Sequence, residues 1–450
     1  MDILCIPGVP PRQQQLLSHL NAMKKRKFGV SCLVLLIFMC LIACKKEKSS
    51  SAETDEIISP TTGTRTQFTL DSIFLYAQQV YLWSDALPNY GDFNPRQKYA
   101  NVSPDLTAFR KELFDISQFK IDKATGSAYE FPIYTGSAKY SYLEAGRING
   151  GATAGVISSS PALLTSTGLT SGDKNIAYLA LGAFPKLSSC QAILDQTFTE
   201  LAVTSPKYIV VDLRSNTGGY VETAEYIANL IVPTSLNGKV MYTEMFNAKM
   251  QAGQARILKY QPYIDAAGKT VVYNGRNATM ADVDYTEKGN TYHFNKKGNL
   301  TTIQGVYFIV SGKTASASEL LISCLKPYFN VKLIGEKTYG KPVGFFAINI
   351  DQYSVYLSSF LIRNGAGWSD YFTGMPVDIA VSSLASPDLG NPEESCLKAA
   401  INDINGLKTT AKVGLSHTTL MQVNPLSGTT TLETATGFGM QENRLRLKNK

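Results

Sequence analysis

An α/β fold with a mostly parallel sheet is predicted for the middle of this chain, on three observations. Between residues 176 and 345, apolar strand-like runs alternate with amphipathic helical patterns. Lys207–Leu213 (KYIVVDL) is an unbroken apolar run of the kind that parallel sheets bury on both faces. Two strand-to-helix turns are built largely of small residues, Ser215-Asn216-Thr217-Gly218-Gly219 and Thr314-Ala315-Ser316-Ala317-Ser318. Such turns let a backbone come close to a ligand, and serine is a good helix N-cap.

The chain has 450 residues, room for two or three domains. Its net charge of +7 is inflated by the N-terminus, where Arg12, Lys24, Lys25, Arg26 and Lys27 face only Asp2 within residues 1–43. No basic stripe points to nucleic acid. Met23-Lys24-Lys25-Arg26-Lys27 leads into the apolar run Val30–Ala43, which has the form of a signal segment (1–43) and is short for a membrane span. Translation is expected to start at Met23. Leu41-Ile42-Ala43-Cys44 resembles the lipobox of bacterial lipoproteins, which implies lipidation at Cys44 and a membrane anchor there; an ordinary signal anchor is the alternative. Residues 44–65 are polar and read as a flexible tether. Of seven cysteines, Cys5, Cys32 and Cys40 would leave with the signal. Cys190, Cys324 and Cys396 remain in the folded part, an odd number that argues against a disulfide framework.

A small N-terminal helical domain is expected over 66–120. Phe68–Leu82 is helical, with Tyr81-Leu82-Trp83 on the core, Asp85–Arg96 is a loop, and Ser103-Pro104 starts a second helix, Asp105–Phe119. The 121–175 region is a linker with strands at Tyr129–Tyr134 and Lys139–Glu144. Residues 156–173 follow an order that weakly resembles part of a PDZ domain. The core, 176–405, carries strands at Ile176–Leu181, Lys207–Leu213, Lys239–Glu244, Val306–Val310 and Val331–Ile334, and helices at Ser188–Leu201 and Tyr220–Ile231. After Ser316 the apolar positions Leu320, Leu321, Cys324 and Leu325 give one helix face, and Pro327 ends it. A polar excursion before residue 304 would wall a cleft. Phe345–Ile350 and Ser354–Ile362 read as a hairpin, Asn391 opens a last helix to Ile404, and 406–450 is a loosely held tail.

Serine at the mouth of a helix is a candidate nucleophile, which needs a base and donors for an oxyanion. Gly218-Gly219, at another helix mouth, and the N–H of Ala317 can supply those donors; a plain Gly-Gly turn is the alternative. His19 lies in the leader, and His293 and His417 sit in polar stretches, so histidine is not the base. Lys341, flanked by Gly340, Pro342, Val343 and Gly344, is the remaining candidate. A base must be neutral, and burial would lower its pKa. An exposed turn lysine is the competing reading.

Asp212-Leu213-Arg214-Ser215-Asn216-Thr217-Gly218-Gly219, Thr314-Ala315-Ser316-Ala317-Ser318-Glu319 and Gly335-Glu336-Lys337-Thr338-Tyr339-Gly340-Lys341 together resemble the C-terminal processing (tail-specific) peptidases, serine peptidase family S41. The helical unit resembles lipoprotein members of the Bacteroidetes type. The resemblance implies a crotonase-like (ClpP-like) α/β core and an endopeptidase working through an acyl-enzyme. It maps the nucleophile onto Ser316, the base onto Lys341 and the oxyanion hole onto Gly219 and Ala317, with Gly218, Glu319 and Tyr339 as supporting positions. No metal or cofactor is implied. The expected partner is a protein or peptide in the cell envelope, with the chain anchored at the outer membrane. Three features depart from the family: Phe345 stands where many members have a third catalytic glutamine, Thr217 replaces a glycine, and the PDZ domain is absent or vestigial. A peptide- or apolar-ligand-binding lipoprotein on the same scaffold, and a purely structural envelope lipoprotein, are the competing functions.

Overall fold

Six strands form the central sheet of the computed structural model, in the spatial order Ile379–Ala380, Asn330–Gly335, Gly305–Val310, Tyr208–Asp212, Lys174–Leu181, Leu163–Ser171. All neighbours are parallel except the last pair. The described residues are 59–132, 134–147, 161–265, 268–382, 387–407, 440–441 and 445–448. The signal segment, Cys44, most of the tether and most of the tail lie outside them.

Ile209, Val210, Val211, Val306, Phe308 and Ile309 are fully buried, which is why these strands show no polar alternation. Asp212 pairs with Ile309, so the two central strands end level. Both small-residue turns therefore leave from one edge of the sheet, the carboxyl ends of parallel strands where α/β sheets place their ligands. The helices Val221–Ile231 and Ala317–Leu325 follow the turns and lie against each other. On the other face, Cys396, Leu397, Ala399 and Ala400 of the Ser395–Ile404 helix bury against Ile176, Tyr178, Val210 and Tyr307. Cys190, Cys324 and Cys396 are free and buried.

The α/β core and a small N-terminal helical region are both present, with local corrections to the expected elements. Residues 85–96 are not one loop: Tyr90–Phe93 and Pro95–Tyr99 are short helices, the second with Asn94 at its N-cap and proline in its first turn. Tyr129–Tyr134 is not a strand, since Tyr134 makes only an isolated bridge to Ser137. Lys139–Glu144 shrinks to Tyr142–Ala145, which pairs with Tyr353–Tyr356. The expected hairpin is Ala347–Ile350 with Tyr353–Tyr356. The chain then crosses to Phe360–Asn364, which joins Val240–Phe246 in a four-stranded antiparallel sheet. Leu163–Ser171, part of the PDZ-like order, is an edge strand of the central sheet, and Gly172-Asp173 is the turn that joins it to the next strand, with Gly172 at φ 61°. The tail is tied in two places: Met440–Gln441 pairs with Gly219–Tyr220, and Leu447 bridges Val283. Among the described residues no helix is long and apolar enough to cross a membrane.

Candidate active site

The loop after Tyr208–Asp212 and the turn after Gly305–Val310 are laced together by their own small polar side chains. Thr314 Oγ1 donates to the Leu213 carbonyl (2.8 Å), and Ser311 Oγ donates to the Arg214 carbonyl (2.5 Å). Ser318 Oγ donates to Asn216 Oδ1 (2.9 Å), which also accepts the Gly218 N–H (2.9 Å). Asn216 Nδ2 reaches the Leu181 carbonyl on the neighbouring strand (3.2 Å). Arg214 is fixed by bonds to Asp212 (Nη2–Oδ2, 2.7 Å) and to Glu394 (Nη1–Oε1, 2.9 Å). Glu394 in turn caps the Ser395–Ile404 helix by accepting from Cys396 and Leu397.

Only glycine fits at position 218. Its φ is +99°, and a Cβ there would lie 2.8 Å from the Ala315 carbonyl oxygen and 2.9 Å from the Ala317 nitrogen. Its N–H is spent on Asn216, so Gly219, not Gly218, is the glycine that can offer its N–H to an added group, and in this state Gly219 is the residue paired with Met440 of the tail. Ala317 is the first residue of its helix, where an N–H has no intrahelical acceptor. Ser316, immediately before it, sits at φ 62°, ψ −120°, a conformation serine adopts only under constraint. Its Oγ is buried with no hydrogen-bond partner.

Glu319 supplies the constraint. Its Oε2 accepts the Ser316 N–H (3.0 Å) and the Lys341 N–H (2.8 Å). Its Oε1 accepts the Gly340 N–H (2.8 Å) and Thr338 Oγ1 (2.6 Å). One carboxylate thus holds the serine turn and the lysine loop to each other. Burial pushes its pKa up, against the pull of these bonds. Gly340 is required for the loop's other side, since a Cβ there would lie 2.3 Å from the Gly374 nitrogen.

Lys341 is 2% exposed, so it is not a surface turn lysine. Its Nζ lies 4.4 Å from the centre of the Phe345 ring. Burial pushes its pKa down to about 7; Glu130 and Glu319 pull it up, and Lys139 pushes it further down. Phe345 therefore does not leave the lysine in purely apolar company. Glu130 is fully buried and accepts from Ser141 N (2.7 Å) and Oγ (2.8 Å). Lys139 Nζ donates to the Phe372 carbonyl (2.6 Å) and lies within 5.4 Å of the Phe131, Tyr140 and Tyr339 rings. Burial lowers its pKa to about 8. Tyr339 Oη donates to the Lys139 carbonyl (3.2 Å), and Tyr140 Oη to the Gly340 carbonyl (2.6 Å). A cavity of about 160 Å³ opens here, lined by Arg110, Lys139, Tyr140, Ser141, Tyr142 and Lys341 among others.

The fold thus brings Gly218, Gly219, Ser316, Ala317, Glu319, Tyr339 and Lys341 into one neighbourhood, and leaves His293 exposed on the Thr291–His293 strand. His417 and Cys44 lie outside the described residues. Sequence reasoning missed Asn216, Glu130 and Lys139. Asn216 was readable, because asparagine two residues before a glycine commonly takes that glycine's N–H. Glu130 and Lys139 lie far from both motifs in a stretch without clear periodicity, and carried no signal.

Residues 175–364 match the sequence model described as Peptidase family S41. No curated protein matches the chain. Among solved structures, a Bacteroides fragilis protein assigned as an S41 protease is 22% identical over 56% of this chain and 59% of its own, with a TM-score of 0.43. The match thus spans less than two thirds of that relative's length. The photosystem II D1 C-terminal processing protease is 15% identical over 71% of this chain and 94% of its own, at 0.41. A Parabacteroides merdae protein assigned as a peptidase is 14% identical over 77% of this chain and 100% of its own, at 0.42. Similarity at that level carries no argument, and the assignment rests on the family match.

Proposed function

We propose, on the match of residues 175–364 to peptidase family S41, that this chain is a serine endopeptidase in which Ser316 is the nucleophile and Lys341 the base. The observation that carries this reading is the shared carboxylate: Glu319 Oε2 takes the N–H of both residues, fixing one loop against the other. Neutral Lys341 accepts the Ser316 hydroxyl proton as Oγ attacks the peptide carbonyl. The N–H groups of Gly219 and Ala317 hold the oxyanion, helped by the N-terminal dipole of the Ala317–Leu325 helix. The Lys341 ammonium returns the proton to the leaving amine, and water then hydrolyses the ester. The Ser316–Lys341 hydrogen bond is not made in this state, since Ser316 Oγ has no partner. Catalytic contacts of this kind commonly tighten only around substrate.

Digestion of casein with the wild type and with Ser316→Ala tests the assignment: cleavage by the first alone is expected, and equal cleavage by both would refute it. We place the enzyme in the cell envelope, lipid-anchored at Cys44 and acting on exported proteins. Metabolic labelling with a tritiated fatty acid should mark the wild type and not Cys44→Ser.

A further inference from the structure

The chain's own C-terminal segment runs beside the glycine assigned to the oxyanion. Met440 pairs with Gly219 and Gln441 with Tyr220, in parallel. On the opposite side, Phe184 donates its N–H to the Gly218 carbonyl (3.0 Å) and accepts the Tyr220 N–H (2.8 Å). In a parallel ladder, alternate residues bond to alternate sides. With the Gly218 carbonyl and the Tyr220 N–H committed to Phe184, the N–H and carbonyl of Gly219 itself are the groups that face the added strand. Val343–Gly344, which follows Lys341 after a single proline, also neighbours Met440–Gln441. The tail strand therefore lies between the wall that bears the oxyanion donor and the wall that bears the base.

Residues further along fix the tail in place. Tyr263 Oη donates to the Leu445 carbonyl (2.7 Å), the Asp284 N–H to the Arg446 carbonyl (2.8 Å) and the Lys448 N–H to the Asp282 carbonyl (2.9 Å). Leu445 is 8% exposed, and the Arg446 guanidinium lies 5.3 Å from the Tyr292 ring centre. The polar excursion that the sequence reads as a cleft wall is thus where the tail is held.

We propose that Gly219–Tyr220 is the peptide-binding edge of this site, a place where an extended main chain adds as a strand, and that Met440–Gln441 occupies it as an intramolecular competitor of other peptides. Strand addition draws its affinity from main-chain hydrogen bonds, so the occupant is recognised chiefly as a backbone. A tethered segment competes at the high effective concentration of its linker. The occupancy is independent of chemistry at Ser316; its effect on substrate turnover rests on the peptidase reading.

The test separates the two. In the non-cleaving Ser316→Ala chain, binding of a fluorescent peptide of residues 436–446 is compared between the native tail and Gln441→Pro, which deletes the N–H facing the Gly219 carbonyl. The peptide should bind the proline variant about tenfold or more tighter, and Gln441→Ala, which keeps the N–H, should match the native tail. Equal affinity for native and proline tails, or binding to neither, overturns the proposal. If Gln441→Pro melts early, Leu445→Asp, which frees the anchor without touching the edge, replaces it with the same expectation. With Ser316 restored, Gln441→Pro should lower KM for peptide substrates at unchanged kcat. If neither chain cuts any substrate, the peptidase reading fails while the binding comparison still decides the occupancy.

Discussion

Glu319 and Glu112 are both fully buried, one between the two turns of the site and the other in the Asp105–Ser117 helix of the N-terminal unit. Glu319 accepts hydrogen bonds from Ser316, Thr338, Gly340 and Lys341. Neither oxygen of Glu112 has a partner. Burial pushes both carboxyls up; the bonds oppose it at Glu319, whereas Asp71 and Asp115 push Glu112 higher still. A buried carboxyl is therefore no sign of function by itself. Its donors, and which loops they come from, separate a tie that builds a site from a group that the core merely tolerates.

Removing the tie should have the largest effect. Glu319→Ala strands three main-chain N–H groups and one hydroxyl in the interior. Each unmade bond costs about 1–3 kcal/mol. A drop of about 3 kcal/mol or more in denaturant-derived stability is expected, with loss of peptide cleavage. An unchanged denaturation midpoint would erase the contrast with Glu112.

Glu112→Leu should do the opposite, raising stability by about 1 kcal/mol at neutral pH. The sign follows from linkage: a carboxyl whose folded pKa is raised supports folding fully below its unfolded pKa, and that support is lost as pH rises. Stability curves of wild type and Glu112→Leu should therefore diverge as pH rises above the ordinary carboxylate range. Parallel curves would mean that Glu112 finds a donor in solution.

The smallest effects concern the groups around Lys341. Lys139 pushes its pKa down and Glu130 pulls it up. Lys139→Met should move the pH midpoint of the rate upward and Glu130→Gln downward, each by less than about one unit. Shifts in the same direction would show that both act by distorting the loop rather than by charge.

The core strands were legible because Ile209–Val211 and Val306–Val310 are buried on both faces and carry no charged residue. The positions of Ser316, Glu319 and Lys341 were legible because the small residues and glycines around them match a chemistry that needs close backbone approach. What joins them was not. Glu130 and Lys139 act across loops that the sequence separates, as do the bonds of Asn216 to Ser318 and Leu181, and periodicity says nothing about such contacts. The weak PDZ-like order at 156–173 lies partly outside the described residues, and its described part has a local reason: Gly172-Asp173 serves a hairpin as well as it serves a domain boundary. The tail read as loose because Met440–Gln441 and Leu447 pair through main chain, which leaves little trace in side-chain pattern.

The central claim is that buried Lys341 is the base for Ser316. It is tested most directly by kcat/KM against pH for peptide cleavage by the wild type and Lys341→Arg. A base held down to about 7 must lose its proton to work, so the wild-type rate should rise with pH through that value. Lys341→Arg, which stays charged, should be inactive throughout. A wild-type rate flat across that range, or undiminished cleavage by Lys341→Arg, would contradict the account.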